Sequence, residues 1–124
     1  MDGVNTTVAH YFESMSRHDW TGLRECLSDQ FSRVGPYEDH HWSNPEAYLD
    51  FLRELLPGIE GQKVQVTQTI EEGSVVHVNA TETIQRDGAP HSVRVAATFQ
   101  MNDDDRIDHI EVFVRRLSPS EPVD

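Results

Sequence analysis

A chain of 124 residues, 36% hydrophobic and 26% charged, has the size and composition of one folded domain that buries a core without disulfides or metals. Ten Lys and Arg against 22 Asp and Glu give a formal charge of -12, a field that repels phosphate backbones and anionic lipid, so no nucleic-acid or membrane partner is expected. The single Cys26 excludes an internal disulfide and a CxxC zinc site and suits a reducing, cytoplasmic setting; no N-terminal stretch resembles a signal peptide, and no apolar run reaches the length of a membrane span.

Helices come first along the chain. Val8, Tyr11, Phe12 and Met15 fall at i, i+3, i+4 and i+7, which predicts an amphipathic helix over about residues 5–17. Asp19 is a candidate N-cap for a shorter helix in which Trp20, Leu23 and Leu27 share a face, with Gly22 an unfavourable residue inside it. Ser43-Asn44-Pro45-Glu46 is the clearest helix start: a polar cap, proline at the first helical position, and an acid at the positive dipole end. Tyr48, Phe51, Leu52 and Leu55 form the apolar stripe of this third helix, and Leu56-Pro57-Gly58 ends it.

After Gly61 the hydrophobic period changes to two. Val64, Val66 and Ile70 predict a half-buried strand; Val76, Val78, Ala80 and Ile84 a second; Val93, Val95, Ala97, Phe99 and Met101 a third; and residues 106–116 a fourth. Short turn-forming segments at 72–74, 86–88 and 102–105 make consecutive strands antiparallel hairpins, and the tail over 118–124 is expected to be mobile. Helices at one end and hairpins at the other predict an α+β fold over residues 1–117: a curved antiparallel sheet with three N-terminal helices on its concave face, enclosing a pocket.

Several runs carry a family resemblance: Val8-Ala9-His10-Tyr11-Phe12, His18-Asp19-Trp20, Leu27-Ser28-Asp29-Gln30-Phe31, Gly35-Pro36, Pro45 to Leu52, and the closing Phe99 to Val112 hairpin. On them, nearly the whole chain resembles the nuclear transport factor 2-like superfamily, in its SnoaL-like and ketosteroid-isomerase-like branches. The resemblance implies a cone-shaped domain that serves isomerases, cyclases, dehydratases, epoxide hydrolases and noncatalytic binding modules alike. It also places Tyr11 where ketosteroid isomerases hold an enolate oxygen. Their base position falls on Gly35 and their second oxyanion acid near Ala97, neither of which can exchange a proton. Classical steroid isomerisation is therefore not expected.

The polar stretch from Arg33 to Trp42 joins the second and third helices and in this fold skirts the pocket mouth. Glu38, Asp39 and His40 are candidate acid-base groups, although an exposed acidic loop has the same composition. Glu38, His40 and His41 could also hold a metal, but adjacent residues rarely point at one ion, and neither a metal nor another cofactor is expected. Arg33 alternates with Phe31 and could stabilise a carboxylate or enolate, or form an ordinary ion pair. Asp108 shares the inner face of the last strand with Ile110, Val112 and Val114 and, like Glu82, could be a base or a plain surface acid. Phe12, Met15, Trp20, Phe31, Tyr37, Trp42, Phe51, Leu55, Val78, Ala97, Phe99 and Val112 are the expected apolar lining; most such residues, with Tyr48 and Met101, also suit a plain core.

His77, Asn79, Thr98, His109 and Phe113 lie on the opposite sheet face, which the resemblance assigns to a homodimer. Cys26 is expected to be a small buried hydrophobe, and Asp103 to Asp105 lack the ligand spacing of a calcium loop. Two functions follow as expectations. One is binding of a small hydrophobic or polyketide-like molecule with cofactor-free acid-base catalysis by Tyr11, Arg33 and one of Glu38, Asp39, His40 or Asp108. The other is a noncatalytic ligand-binding or dimerisation module.

Overall fold

Three Asx caps set the helices. In the computed structural model, which describes residues 5–59 and 61–117, the Asn5 side chain accepts from the Val8 amide at 3.1 Å, Asp19 from Gly22 at 3.0 Å, and Asn44 from Ala47 at 2.8 Å. They open α1 (Thr6–Ser16), α2 (Trp20–Cys26) and α3 (Pro45–Leu55). Pro45 occupies the first helical turn of α3, and a 3-10 turn, Leu56–Gly58, closes it where Pro57 cannot continue an α-helix. Gly22 is inside α2 for a packing reason: a Cβ there would come within 2.6 Å of both the Asp19 carboxylate and the Ser14 hydroxyl, so only glycine lets α1 and α2 meet this closely.

The strands are β1 (Leu27–Val34), β2 (His41–Trp42), β3 (Lys63–Glu72), β4 (Val75–Arg86), β5 (Ala89–Met101) and β6 (Ile107–Arg116). They form one sheet in the order β2-β1-β6-β5-β4-β3. The expected antiparallel sheet is in fact mixed, because β1 runs parallel to β6 while every other pair is antiparallel. A hairpin forces antiparallel pairing only between neighbours in sequence; β1 and β6 are joined by the rest of the fold, which leaves their direction free. Leu27, expected on the second helix, is instead the first residue of β1.

The three helices cover the inner sheet face. Tyr11 and Phe12 meet Phe99 edge-on at 5.4 and 5.7 Å, and Phe31 packs on Tyr48 at 5.1 Å. Leu23, Phe31, Tyr48, Phe99, Ile107 and Ile110 are fully enclosed, each worth about 1.5–3 kcal/mol of burial. The result is the expected cone-like α+β fold. No helix among the described residues is long and apolar enough to cross a membrane. The tail over 118–124 lies outside the described residues.

Two register shifts alter the expected faces. In β3 a shift between Val66 and Gln68 sets Val66 opposite Ala80 but Ile70 opposite His77, on the other face. As an edge strand with little helix above it, β3 leaves Val64, Val66 and Ile70 38–46% exposed instead of half-buried. In the last hairpin a shift between Gln100 and Met101 pairs Ile107 with Met101 and His109 with Gln100. Ile107, not Asp108, then turns into the core; Asp108 sits at the hairpin end, where the Asn102 side chain donates to it at 3.4 Å.

Candidate functional site

Between α3, the β1–β2 connection and the far ends of β4, β5 and β6 lies a cavity of about 750 Å³, within the roughly 300–1,000 Å³ common for small-molecule sites. Its apolar wall is Met15, Phe51, Leu52, Leu55, Leu56 and Val114. Arg33 and His40 enter from one side, and Gln62, Glu82, Arg86, His91 and Arg116 from the other.

Arg33 follows Phe31 by two residues on β1, so it shares the inward face with that core residue. Four contacts with three residues fix its guanidinium. Nε donates to the Gly35 carbonyl at 3.2 Å and Nη1 to the Tyr48 hydroxyl at 2.8 Å. Its central carbon lies 5.3 Å from the Tyr48 ring centroid and 5.9 Å from that of Trp42. Behind it, the Tyr48 and Tyr11 hydroxyls share a hydrogen bond of 2.5 Å between α3 and α1. Burial first, then the neighbouring Tyr48, holds the Tyr11 phenol well above its usual pKa of 10, so it stays neutral. Burial works against the Arg33 charge, but Tyr48 and Tyr11 outweigh it and the guanidinium stays cationic. No carboxylate among the described residues forms an ion pair with Arg33.

His40 is set by the turn before β2. Its amide donates to the Tyr37 carbonyl at 2.9 Å, and its carbonyl accepts from the Gly35 amide at 2.8 Å. Gly35 has φ +87°, and a Cβ there would overlap the Val112 carbonyl, so the turn admits no side chain at that position. The peptide to Pro36 is cis. The His40 ring is boxed by Tyr37, Trp42 and Phe51, with centroids 5.0, 5.2 and 5.5 Å away. Its Nδ1 is buried with no hydrogen-bond partner, an unmet donor or acceptor beside the cavity. His40 and Arg33 thus flank the same Trp42 ring. Across the cavity Glu82 accepts from the Gln62 side chain at 2.7 Å.

The expected site residues separate into four groups. Arg33 and His40 reach the cavity, as do Met15, Tyr37, Phe51 and Leu55. Tyr11 does not reach its wall but backs Arg33 through Tyr48. Glu38 and Asp39 are exposed on the turn, and Asp108 is at the hairpin end, so the structure does not gather these acids at the cavity. Phe31, Val78, Ala97, Phe99 and Val112 are buried in the core, with Phe12 and Trp42 packed against it; Trp20 stacks on His18 at 5.5 Å. These apolar residues fill space between helices and sheet where a lining was expected. Among the described residues no group of three His, Cys, Asp or Glu could hold a metal ion.

The polar residues of the far wall were missed, apart from Glu82. A signal for them existed: Glu82, Ile84 and Arg86 continue the inward alternation of Val76, Val78 and Ala80 past the point where the helices stop covering the sheet. The sequence places Tyr48 in a group that is mostly core, with one or two members lining the cavity. Its place on the helix stripe hid that its hydroxyl meets Arg33.

Comparisons with known proteins agree with this architecture. A family model described as SnoaL-like domain matches residues 8–110. A protein of Shewanella denitrificans classed as a SnoaL-like polyketide cyclase superposes with a TM-score of 0.78 at 11% identity, covering 88% of each chain. An LEH-like epoxide hydrolase of M. tuberculosis gives 0.76 at 15% identity, over 90% of this chain and 81% of that one. A protein of Catenulispora acidiphila with a ketosteroid isomerase-like fold, solved with trimethylamine, gives 0.78 at 16% identity, over 91% and 87%. At such identities the likeness is one of fold. No curated protein matches the chain.

Proposed function

The chain belongs to the SnoaL-like domain family, and we propose that its cavity binds a small, largely apolar molecule and moves a proton on it using side chains alone. The observation that carries this reading is the pairing of a fixed cationic donor, Arg33, with an imidazole, His40, whose buried Nδ1 has no partner, on one wall of the cavity beside the apolar side chains of Phe51, Leu52 and Leu55. On a ketone, His40 takes the proton from the carbon beside the carbonyl. The C–H electron pair moves into the carbonyl, and Arg33 holds the resulting enolate oxygen. The proton then returns from the imidazolium to the same or a neighbouring carbon. Tyr48 and Tyr11 are positioning residues for Arg33. Imidazole suits the task because a neutral ring has one nitrogen that accepts a proton and one that donates. Relatives classed as polyketide cyclases and an epoxide hydrolase support a cavity of this kind in the family.

The test is the neutral ketone 1-phenylpentan-1-one in D2O, with its binding read by thermal shift and its α-proton exchange by NMR. We expect exchange above the buffer rate, lost in His40→Gln while binding persists. No binding and no exchange overturns the reading. Binding without exchange in the native protein favours the second reading, a noncatalytic binding module, for which Gly35 and Ala97 at the two acid-base positions of the resembling isomerases speak. We also propose a cytoplasmic homodimer through the outer sheet face, where Phe113 is 59% exposed; sedimentation of Phe113→Glu as a monomer would support the dimer.

A further inference from the structure

Arg33 is an incomplete ion site. A chain with 22 Asp and Glu could readily supply a counter-ion, yet this partly buried guanidinium has none among the described residues. Buried and half-buried charges are normally paired, because the loss of hydration is otherwise uncompensated. The four contacts that fix it use only part of its donor set: Nε serves Gly35 and one N–H of Nη1 serves Tyr48. Tyr11 is the other hydroxyl that favours the charge; no carboxylate among the described residues meets Nη1 or Nη2, and Arg33 lines the cavity. A fork of N–H groups, held over Trp42 and Tyr48, matches a carboxylate better than a single carbonyl oxygen.

The wider cavity has the same sign. Among the described residues, Arg33, Arg86 and Arg116 line it against one carboxylate, Glu82, which already accepts from Gln62. A protein of charge -12 thus lines this cleft, among its described residues, with a surplus of cations, which concentrates organic anions there and raises their binding over neutral analogues.

From the unpaired fork of Arg33 and the cationic surplus around it, we infer that the ligand of this cavity is an organic acid: an apolar body carrying a carboxylate that Arg33 takes in a bidentate pair. This rests on the reading of the cavity as a binding site and names the class of its ligand. With such a ligand Arg33 anchors the acid group and no longer holds the enolate oxygen it would hold for a neutral ketone, while His40 faces a second position along the molecule.

The experiment compares 5-oxo-5-phenylpentanoate with its methyl ester, two molecules of one skeleton that differ in the charge, by isothermal titration on the full chain. The acid is expected to bind about tenfold or more tightly than the ester, as one charge-assisted pair contributes. Arg33→Gln should bring the acid down to the ester's affinity. Arg33→Lys, which keeps the charge and loses the fork, should restore only part of the difference. Thermal unfolding of both variants checks that they fold, and the ester's affinity in each reports that the cavity is intact. Equal affinity of acid and ester in the native protein overturns the inference while leaving the cavity a binding site for neutral molecules. An acid preference that survives in Arg33→Gln overturns it as well, placing the anion elsewhere. If acid, ester and 1-phenylpentan-1-one all fail to bind, the reading of the cavity falls, and this inference with it.

Discussion

The Tyr48 hydroxyl accepts a hydrogen bond from Arg33 Nη1 at 2.8 Å while the ring of the same tyrosine lies 5.3 Å from the guanidinium carbon. One side chain from α3 therefore fixes both the direction and the tilt of the cation on β1, and passes that support to Tyr11 on α1. Tyr48→Phe keeps the ring and removes the oxygen, stranding a buried phenol and a partly buried N–H. A loss of about 1–3 kcal/mol in urea unfolding is expected, together with weaker binding of 5-oxo-5-phenylpentanoate. Unchanged stability and affinity in Tyr48→Phe would mean that the hydroxyl does not position Arg33.

Gly35→Ala should be more damaging than any other single-methyl addition to this turn. The position has φ +87°, and the new Cβ meets the Val112 carbonyl, which is backbone and cannot swing away. Strain and overlap together are expected to cost about 2 kcal/mol or more, with His40 displaced because its carbonyl accepts from the Gly35 amide. Chemical denaturation measures the first effect and α-proton exchange the second.

Alkaline pH should weaken the fold. Burial first, with Glu25 and Asp19 adding to it, pushes the Cys26 thiol up to about 11, against about 8.5 in an unfolded chain. The folded state therefore keeps a proton that the unfolded chain releases. The stability this group contributes is full below about pH 8.5 and falls as pH rises toward 11, with Tyr11 acting in the same direction at higher pH. Urea midpoints between pH 7.5 and 10.5 check the sign. Iodoacetamide should label Cys26 only after denaturation, read by intact mass.

Glu38→Gln and Asp39→Asn should be silent. Both residues are exposed and neither lines the cavity. Stability within about 0.5 kcal/mol of the native protein and unchanged exchange on 1-phenylpentan-1-one are expected. A tenfold loss of exchange in either variant would show that this turn folds over the bound ligand.

The cap at α3 gives a purely structural check. Asn44→Ala removes the acceptor for the Ala47 amide at 2.8 Å and should cost about 1 kcal/mol in thermal or urea unfolding. The ratio of acid to ester affinity should stay unchanged, because Asn44 does not line the cavity.

By itself the sequence determined the three helices, the four strands after Gly61 and the fold class. Caps at Asp19 and Asn44, the helical stripe through Tyr48 and Leu52, and the period of two after Gly61 are local signals, and each reports one backbone segment at a time. It also marked Arg33, which alternates with the core residue Phe31, and His40 as candidates. Tertiary structure decided the rest: that β1 lies parallel to β6, that the register shift in the last hairpin turns Asp108 out of the inner face, and that Tyr48 spans from α3 to Arg33. Those facts depend on pairings between residues far apart in the chain, where a one-residue slip reverses a face and no local pattern records it. The cavity shares that origin. It opens where three helices stop covering a longer sheet, a difference in length between layers that only their packing sets.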